Sequence, residues 1–360
     1  MNRSVLRVVV IADTRFPISE PFAGGMQSLT WHLVRGLRKR GVDVTVFAGP
    51  GTDERLNART LAVKPLRLSG TARRDVSMQP DEWMEHHHAY LQLMLKLAQT
   101  DQFDVVHNNS LHHLPIAMAE TLRVPMVTTL HTPPTPWLEP AVDLCSTRRH
   151  RFVAVSEYTA RSWQHVLHPG PMVVPNGVDL NRWPLGGGGT DLVWSGRIAP
   201  EKGAHLAIDI ARAEGRRLRI AGPLSDLDYW EHQIRPRLGA SVEYVGHLRQ
   251  RDLANLVGSS AVCLVTPTWD EPYGLVAAEA LACGTPVLGF ARGGLSEVVG
   301  ADCARLVAGA SVDATAALLP EVERLDRRAA RAHAEAHCSL DQMVSAYLDM
   351  YAGIVSIRAA

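Results

Sequence analysis

Net charge, paired cysteines, long apolar runs and low-complexity tracts are missing or scarce in this 360-residue sequence, and each absence removes a class of protein. Lys and Arg number 37 against 37 Asp and Glu, so no overall field draws the chain to nucleic acid or an anionic bilayer. The five cysteines, Cys145, Cys263, Cys283, Cys303 and Cys338, are odd in number and never form C-x-x-C. That fits reduced thiols in a cytoplasmic protein better than a disulfide frame or a zinc site. The apolar opening "VLRVVVIAD" is cut short at Asp13, too brief for a signal-peptide core or a membrane span, and reads as a buried strand. Only two short tracts stand out. His86 to His88 read as a solvated helix face, since consecutive helical positions diverge, and Gly186 to Gly189 read as a flexible link.

At ~100 to 200 residues per domain the length predicts two domains. Short β-branched runs alternate with stretches of helical period throughout, which is the pattern of parallel sheets covered by helices on both faces. The fold class is α/β. In the first half, strands are predicted at 5–12, 42–48, 103–107, 124–131 and 151–156, with helices at 26–40, stopped by Gly41, and 157–167, capped by Ser156. Residues 175–190, "PNGVDLNRWPLGGGGT", have neither period and read as a hinge. Six more strands follow, in "DLVWSG", "RRLRIAG", "SVEYVG", "SAVCLVT", "TPVLGF" and "ARLVA". The expected plan is a Rossmann-like domain over 1–174, a second over 191–338, and a last segment, 339–360, whose helix packs back on the first. Two doubly wound sheets set face to face aim the carboxyl ends of their strands at one crevice, where open α/β sheets bind ligands.

Chemistry concentrates in two segments. In "TPTWDEPYGLVAAEALACGTPVLGFARGG", 266–294, a strand ends at Thr266 and a helix runs from about Gly274 to Cys283. The free N–H groups of Tyr273, Gly274 and Leu275 at its start suit phosphate or sugar oxygens. Glu271 precedes the helix, where taken alone it reads more naturally as a simple dipole-favouring acid. Glu279 lies among apolar residues, and its burial there calls for a hydrogen-bonding partner such as a ribose diol. In "VWSGRIAPEKGAHLAIDIA", 193–211, Arg197 and Lys202 come off a strand end beside a helix start, as a diphosphate site or as an ordinary solvated loop.

Taken together, these segments resemble the family 4 retaining glycosyltransferases, which have the GT-B fold. The resemblance rests on Glu271 and Glu279 with seven residues between them, on "GRIAPEKG", on "VPNGVD" at 174–179, on "GTPVLGFARGGLSEVV" at 284–299 and on Gly24 with Gly25. It implies that Arg197 and Lys202 hold the donor diphosphate, that Glu279 holds the ribose and Glu271 the transferred sugar, and that amides of Tyr273, Gly274 and Leu275 assist. Gly24 and Gly25 would let the main chain approach the phosphate, and His131 would lie near the transferred sugar. A second family histidine is replaced here by Asn109.

The expected activity is transfer from a nucleoside diphosphate sugar to a small-molecule or glycan acceptor, with retained configuration. UDP-sugar is favoured, with GDP- and ADP-sugars open. No further cofactor or metal is expected: Asp226-Leu227-Asp228 spells D-x-D, but capping and first-turn acidity of a helix account for it. No nucleic acid and no integral membrane segment are expected, and the assembly is expected to be a monomer or homodimer. The rival readings are a nucleotide-sugar epimerase, which would turn over donor alone, and a binding module without catalysis.

Overall fold

The structure, a computed structural model, describes residues 5–145 and 149–359. Two parallel sheets form it. The first has strands β1 (Arg7–Ile11), β2 (Asp43–Ala48), β3 (Arg59–Thr60), β4 (Val105–Asn108), β5 (Met126–Leu130), β6 (His150–Ala154) and β7 (Met172–Val173), in the order 3-2-1-4-5-6-7. The second has β8 (Leu192–Ser195), β9 (Leu218–Ala221), β10 (Val242–Gly246), β11 (Val262–Val265), β12 (Val287–Phe290) and β13 (Ala304–Val307), in the order 10-9-8-11-12-13. The α/β class and the GT-B arrangement are those the sequence predicts. The two-residue edge strands β3 and β7 were not expected, being too short to carry a period.

The unbroken apolar run of β1 is explained by burial on both faces. Val8 and Val10 enter the core beneath the helix Gly25–Lys39, while Val9 and Ile11 enter the opposite core beneath the helix Asp81–Ala98. In the second sheet β8 divides in the same way, Leu192 and Trp194 to one side and Val193 to the other. The helix predicted over 157–167 ends at Ser162, whose hydroxyl donates to Thr159 O at 2.7 Å and competes with the helical ladder.

Residues 186–189 are not a loose link. A Cβ on Gly186 would lie 2.2 Å from Gly258 O, and one on Gly189 would lie 2.2 Å from Ser259 O. The run is laid against the second sheet's helices, and glycine is what permits the approach. The helix Leu340–Ala359 then lies along the first helix of the chain, so close that a Cβ on Gly36 would be 2.6 Å from Val344 Cγ2. Its Tyr347 and Tyr351 reach under the first sheet, with hydroxyls 2.9 Å from Thr129 Oγ1 and 2.5 Å from His107 Nδ1.

Candidate functional site

In each sheet the strand order reverses beside one central pair, β1 and β4 in the first and β8 and β11 in the second. The loops leaving the carboxyl ends of these strands line a cleft of about 810 Å³ between the sheets. All ten residues singled out from the sequence line it.

Lys202 and Glu271 come from the loops after β8 and β11, and they meet. Lys202 Nζ lies 2.5 Å from Glu271 Oε1, and the same oxygen accepts from Trp269 Nε1 at 3.1 Å. Lys202 also sits over the Trp269 ring, 4.9 Å from its centroid. The family resemblance implies different parts of a donor for these two side chains; the structure pairs them. Gly203 makes the approach possible: with φ +68 it turns the chain into the helix Ala204–Ala213, and a Cβ there would lie 2.0 Å from Thr266 O.

Arg197 is paired with Glu201 at 2.7 Å, both side chains about one-third exposed, an exchangeable surface contact. Across the cleft, Gly24 faces the aliphatic part of Arg197, and a Cβ on Gly25 would lie 2.8 Å from Leu275 Cδ1. The two helices that begin here, Gly25–Lys39 and Leu275–Ala282, have no side-chain cap, so their first N–H groups are open at the cleft. Gly274, at φ +101, turns the chain into the second of them.

Glu279 lies inside that helix, and its neighbours Ala277, Ala278, Ala280 and Leu281 are buried. Its carboxyl makes no hydrogen bond or ion pair with any described residue, and burial pushes its pKa up to about 8. It is a half-buried acceptor on the cleft wall, without a protein donor. Tyr273 contributes backbone to the wall, since its ring belongs to the core. His131, at the end of β5, meets Asn109 Oδ1 through Nε2 at 2.8 Å, which leaves Nδ1 as the ring's acceptor. Burial lowers its pKa to about 4, so the ring is neutral at neutral pH.

The family named Glycosyltransferase Family 4 matches residues 23–182, and Glycosyl transferases group 1 matches residues 180–337. The chain is 30% identical over 358 residues to the D-inositol 3-phosphate glycosyltransferase of Mycolicibacterium smegmatis, covering 85% of this chain and 80% of that one. This chain belongs to glycosyltransferase family 4. It is also 32% identical over 280 residues to a Mycobacterium tuberculosis glycogen synthase, a match spanning 66% of each chain, about two thirds of that protein's length. Among solved structures, the Anabaena protein HepE in complex with UDP and glucose superposes with a TM-score of 0.76 at 15% identity, over 96% of this chain and 99% of that one. That likeness concerns the fold.

Three features of this glycosyltransferase's cleft escaped the sequence reading. The first is a clamp across the sheets: Glu297 accepts from the amides of Glu157 and Tyr158, both at 2.7 Å, while Ser156 and Thr159 hydroxyls donate to Pro272 O at 2.5 and 3.1 Å. The segment carrying Glu271 is thereby tied to the first domain. The second is Gly293, where φ is +58 and a Cβ would lie 2.3 Å from Glu271 O. The third is an aromatic wall. His86 meets Thr14 Oγ1 at 2.8 Å and His87 stacks on Trp83, so only His88 of the triple histidine is a solvated side chain. The sequence signal was present in "DEWMEHHHAY", where positions 83, 87 and 90 share one helix face. Asp226, for its part, caps its helix by accepting from Tyr229 N at 2.8 Å, with Asp228 in the first turn.

Proposed function

We propose that this glycosyltransferase transfers a sugar from a nucleoside diphosphate sugar, UDP-sugar first, to an acceptor hydroxyl at the first domain's side of the cleft, with retention and without a divalent ion. One observation carries the reading: Arg197, Lys202, an uncapped helix N-terminus and the partnerless Glu279 converge on one cleft. The cations and the helix dipole stabilise charge developing on the leaving diphosphate. Two hydroxyls of a ribose supply the donors that Glu279 lacks. When the diphosphate takes Lys202, Glu271 is released to accept from hydroxyls of the transferred sugar, and neutral His131 offers that sugar an acceptor at Nδ1 but no charge. The bond from the anomeric carbon to phosphate breaks, the acceptor oxygen bonds that carbon on the same face, and the acceptor's proton passes to the departing phosphate oxygen. HepE, which shares the fold and was crystallised with UDP, supports the choice of base.

A thermal-shift and calorimetric series with UDP, GDP, ADP and TDP tests the reading, because a ligand specific to the folded state raises its melting temperature by mass action. UDP is expected to bind, and Glu279→Ala to weaken it. Binding unaffected by that substitution would place the nucleotide elsewhere.

A further inference from the structure

Six aromatic rings of the first domain form a continuous stack, and five of them, all but His87, line the cleft. Tyr90 lies on His112 at 4.3 Å, His112 on His113 at 4.6 Å, His113 on Trp137 at 5.1 Å, Trp137 on Trp83 at 5.4 Å and Trp83 on His87 at 5.0 Å. The interplanar angles run from 10° to 21°. Three separate segments build it: the helix Asp81–Ala98, the start of the helix His113–Ala117 with its cap His112, and the loop after β5. Tyr90 anchors the stack to the sheet, its hydroxyl donating to Ala12 O and accepting from Thr14 N, both at 3.2 Å, just beyond the carboxyl end of β1. Trp137 is stacked on two neighbours and is still 51% exposed, so part of its side chain remains open at the cleft.

The charges on this wall decide what it suits. Desolvation lowers the pKa of His112 to about 3 and depresses those of His87 and His113, so the stack is uncharged at neutral pH. Among the described residues of the first domain that line the cleft, the carboxylates of Asp13 and Glu82 stand with one cation, Arg15. On the first-domain side these charges sum to a negative one, which disfavours a phosphorylated or carboxylated acceptor against this wall. A pyranose ring fits: its axial C–H bonds point positive hydrogens at the electron-rich faces of indoles, and its hydroxyls donate to the carboxylates.

Resting on the transferase reading above, the geometry points to this aromatic wall as the acceptor subsite, with a neutral glycan whose terminal pyranose packs against the exposed part of Trp137 as its ligand. The alternatives are an anionic acceptor, steered by Arg15, and an aryl or alkyl aglycone, which needs no hydroxyl partners.

The test is saturation-transfer NMR on the intact protein saturated with UDP. The probes are the methyl glycosides of glucose, mannose and galactose, with glucose 1-phosphate and p-nitrophenol as contrasts. At least one neutral glycoside is expected to receive saturation, strongest on the C–H protons of one ring face. Trp137→Ala should weaken it at least tenfold, Trp137→Phe should keep most of it, and UDP affinity should stay within about twofold in both. Silence from all three glycosides overturns the inference. So does binding only of the phosphate ester or the phenol, or glycoside binding unchanged in Trp137→Ala. Failure of UDP itself to bind would instead overturn the transferase reading, which separates the two.

Discussion

Lys202 Nζ and Glu271 Oε1 lie 2.5 Å apart, so the cation proposed for the donor diphosphate is held by the carboxylate proposed for the donor sugar. Each side chain is mostly shielded, at 20% and 12% exposure, and each therefore neutralises the other where water can do so only in part. Donor binding then becomes an exchange: the diphosphate displaces the carboxylate, and the carboxylate is delivered to the sugar.

That exchange predicts opposite effects of the two truncations. Glu271→Ala frees Lys202, so UDP binding should be unchanged or tighter while turnover falls about 10²-fold. Lys202→Ala should weaken UDP binding by about 1.5–3 kcal/mol, the range for a lost charge-assisted hydrogen bond. Calorimetry with UDP and initial rates with UDP-sugar read both. Equal losses of UDP affinity in the two variants would refute the exchange.

Catalysis should also be indifferent to chelator. Arg197→Ala is expected to cost at least about tenfold in rate, whereas EDTA should leave the parent rate within about twofold. Inhibition by EDTA that manganese reverses would overturn metal independence.

Glu279 gives a pH dependence with a definite sign. Its folded pKa of about 8 lies above the unfolded value of 4.5, so the folded protein keeps a proton that the unfolded chain releases. Its contribution to stability is therefore fully present below about pH 4.5 and is lost as pH rises through about 8. A ribose diol prefers the carboxylate, so UDP affinity should increase from about pH 7 to 9 in the parent and stay flat in Glu279→Gln. Urea melts and calorimetry across that range decide, and a slope that survives in Glu279→Gln would assign the titration to another group.

Gly293→Ala should disturb the site from behind. Its positive φ alone costs alanine about 1–2 kcal/mol, and the new Cβ would press on the backbone of Glu271. A melting temperature lower by at least about 4 °C, with turnover down tenfold or more, is the expected outcome in calorimetry and rate assays.

The last helix can be tested through its two tyrosines. Tyr351→Phe strips the buried His107 Nδ1 of its partner and should cost about 1–3 kcal/mol in urea unfolding. Tyr347→Phe should cost less, because Thr129 keeps its contact with His107 Nε2 at 2.8 Å.

Much of the site was legible because its parts sit where secondary structure changes. Arg197, Lys202, Glu271 and Gly274 each follow a strand or begin a helix, and those boundaries are written locally, in apolar runs, glycines and helix starts. Glu279 was legible for a different reason, as an acid among buried apolar positions. Residues 186–189 misled, since glycine marks both a free link and a close approach, and only the carbonyls of Gly258 and Ser259 distinguish the two.

By itself, then, the sequence determined two parallel sheets and the strand ends on which charge would be displayed, because hydrophobic period and helix termination are short-range properties. The tertiary structure decided which displayed groups meet. Lys202 is 69 residues from Glu271 and Glu297 is 140 from Glu157, while the aromatic wall draws on segments around 83, 112 and 137. Contacts over such separations depend on strand order, loop path and the tilt of one sheet against the other, and no local pattern encodes them.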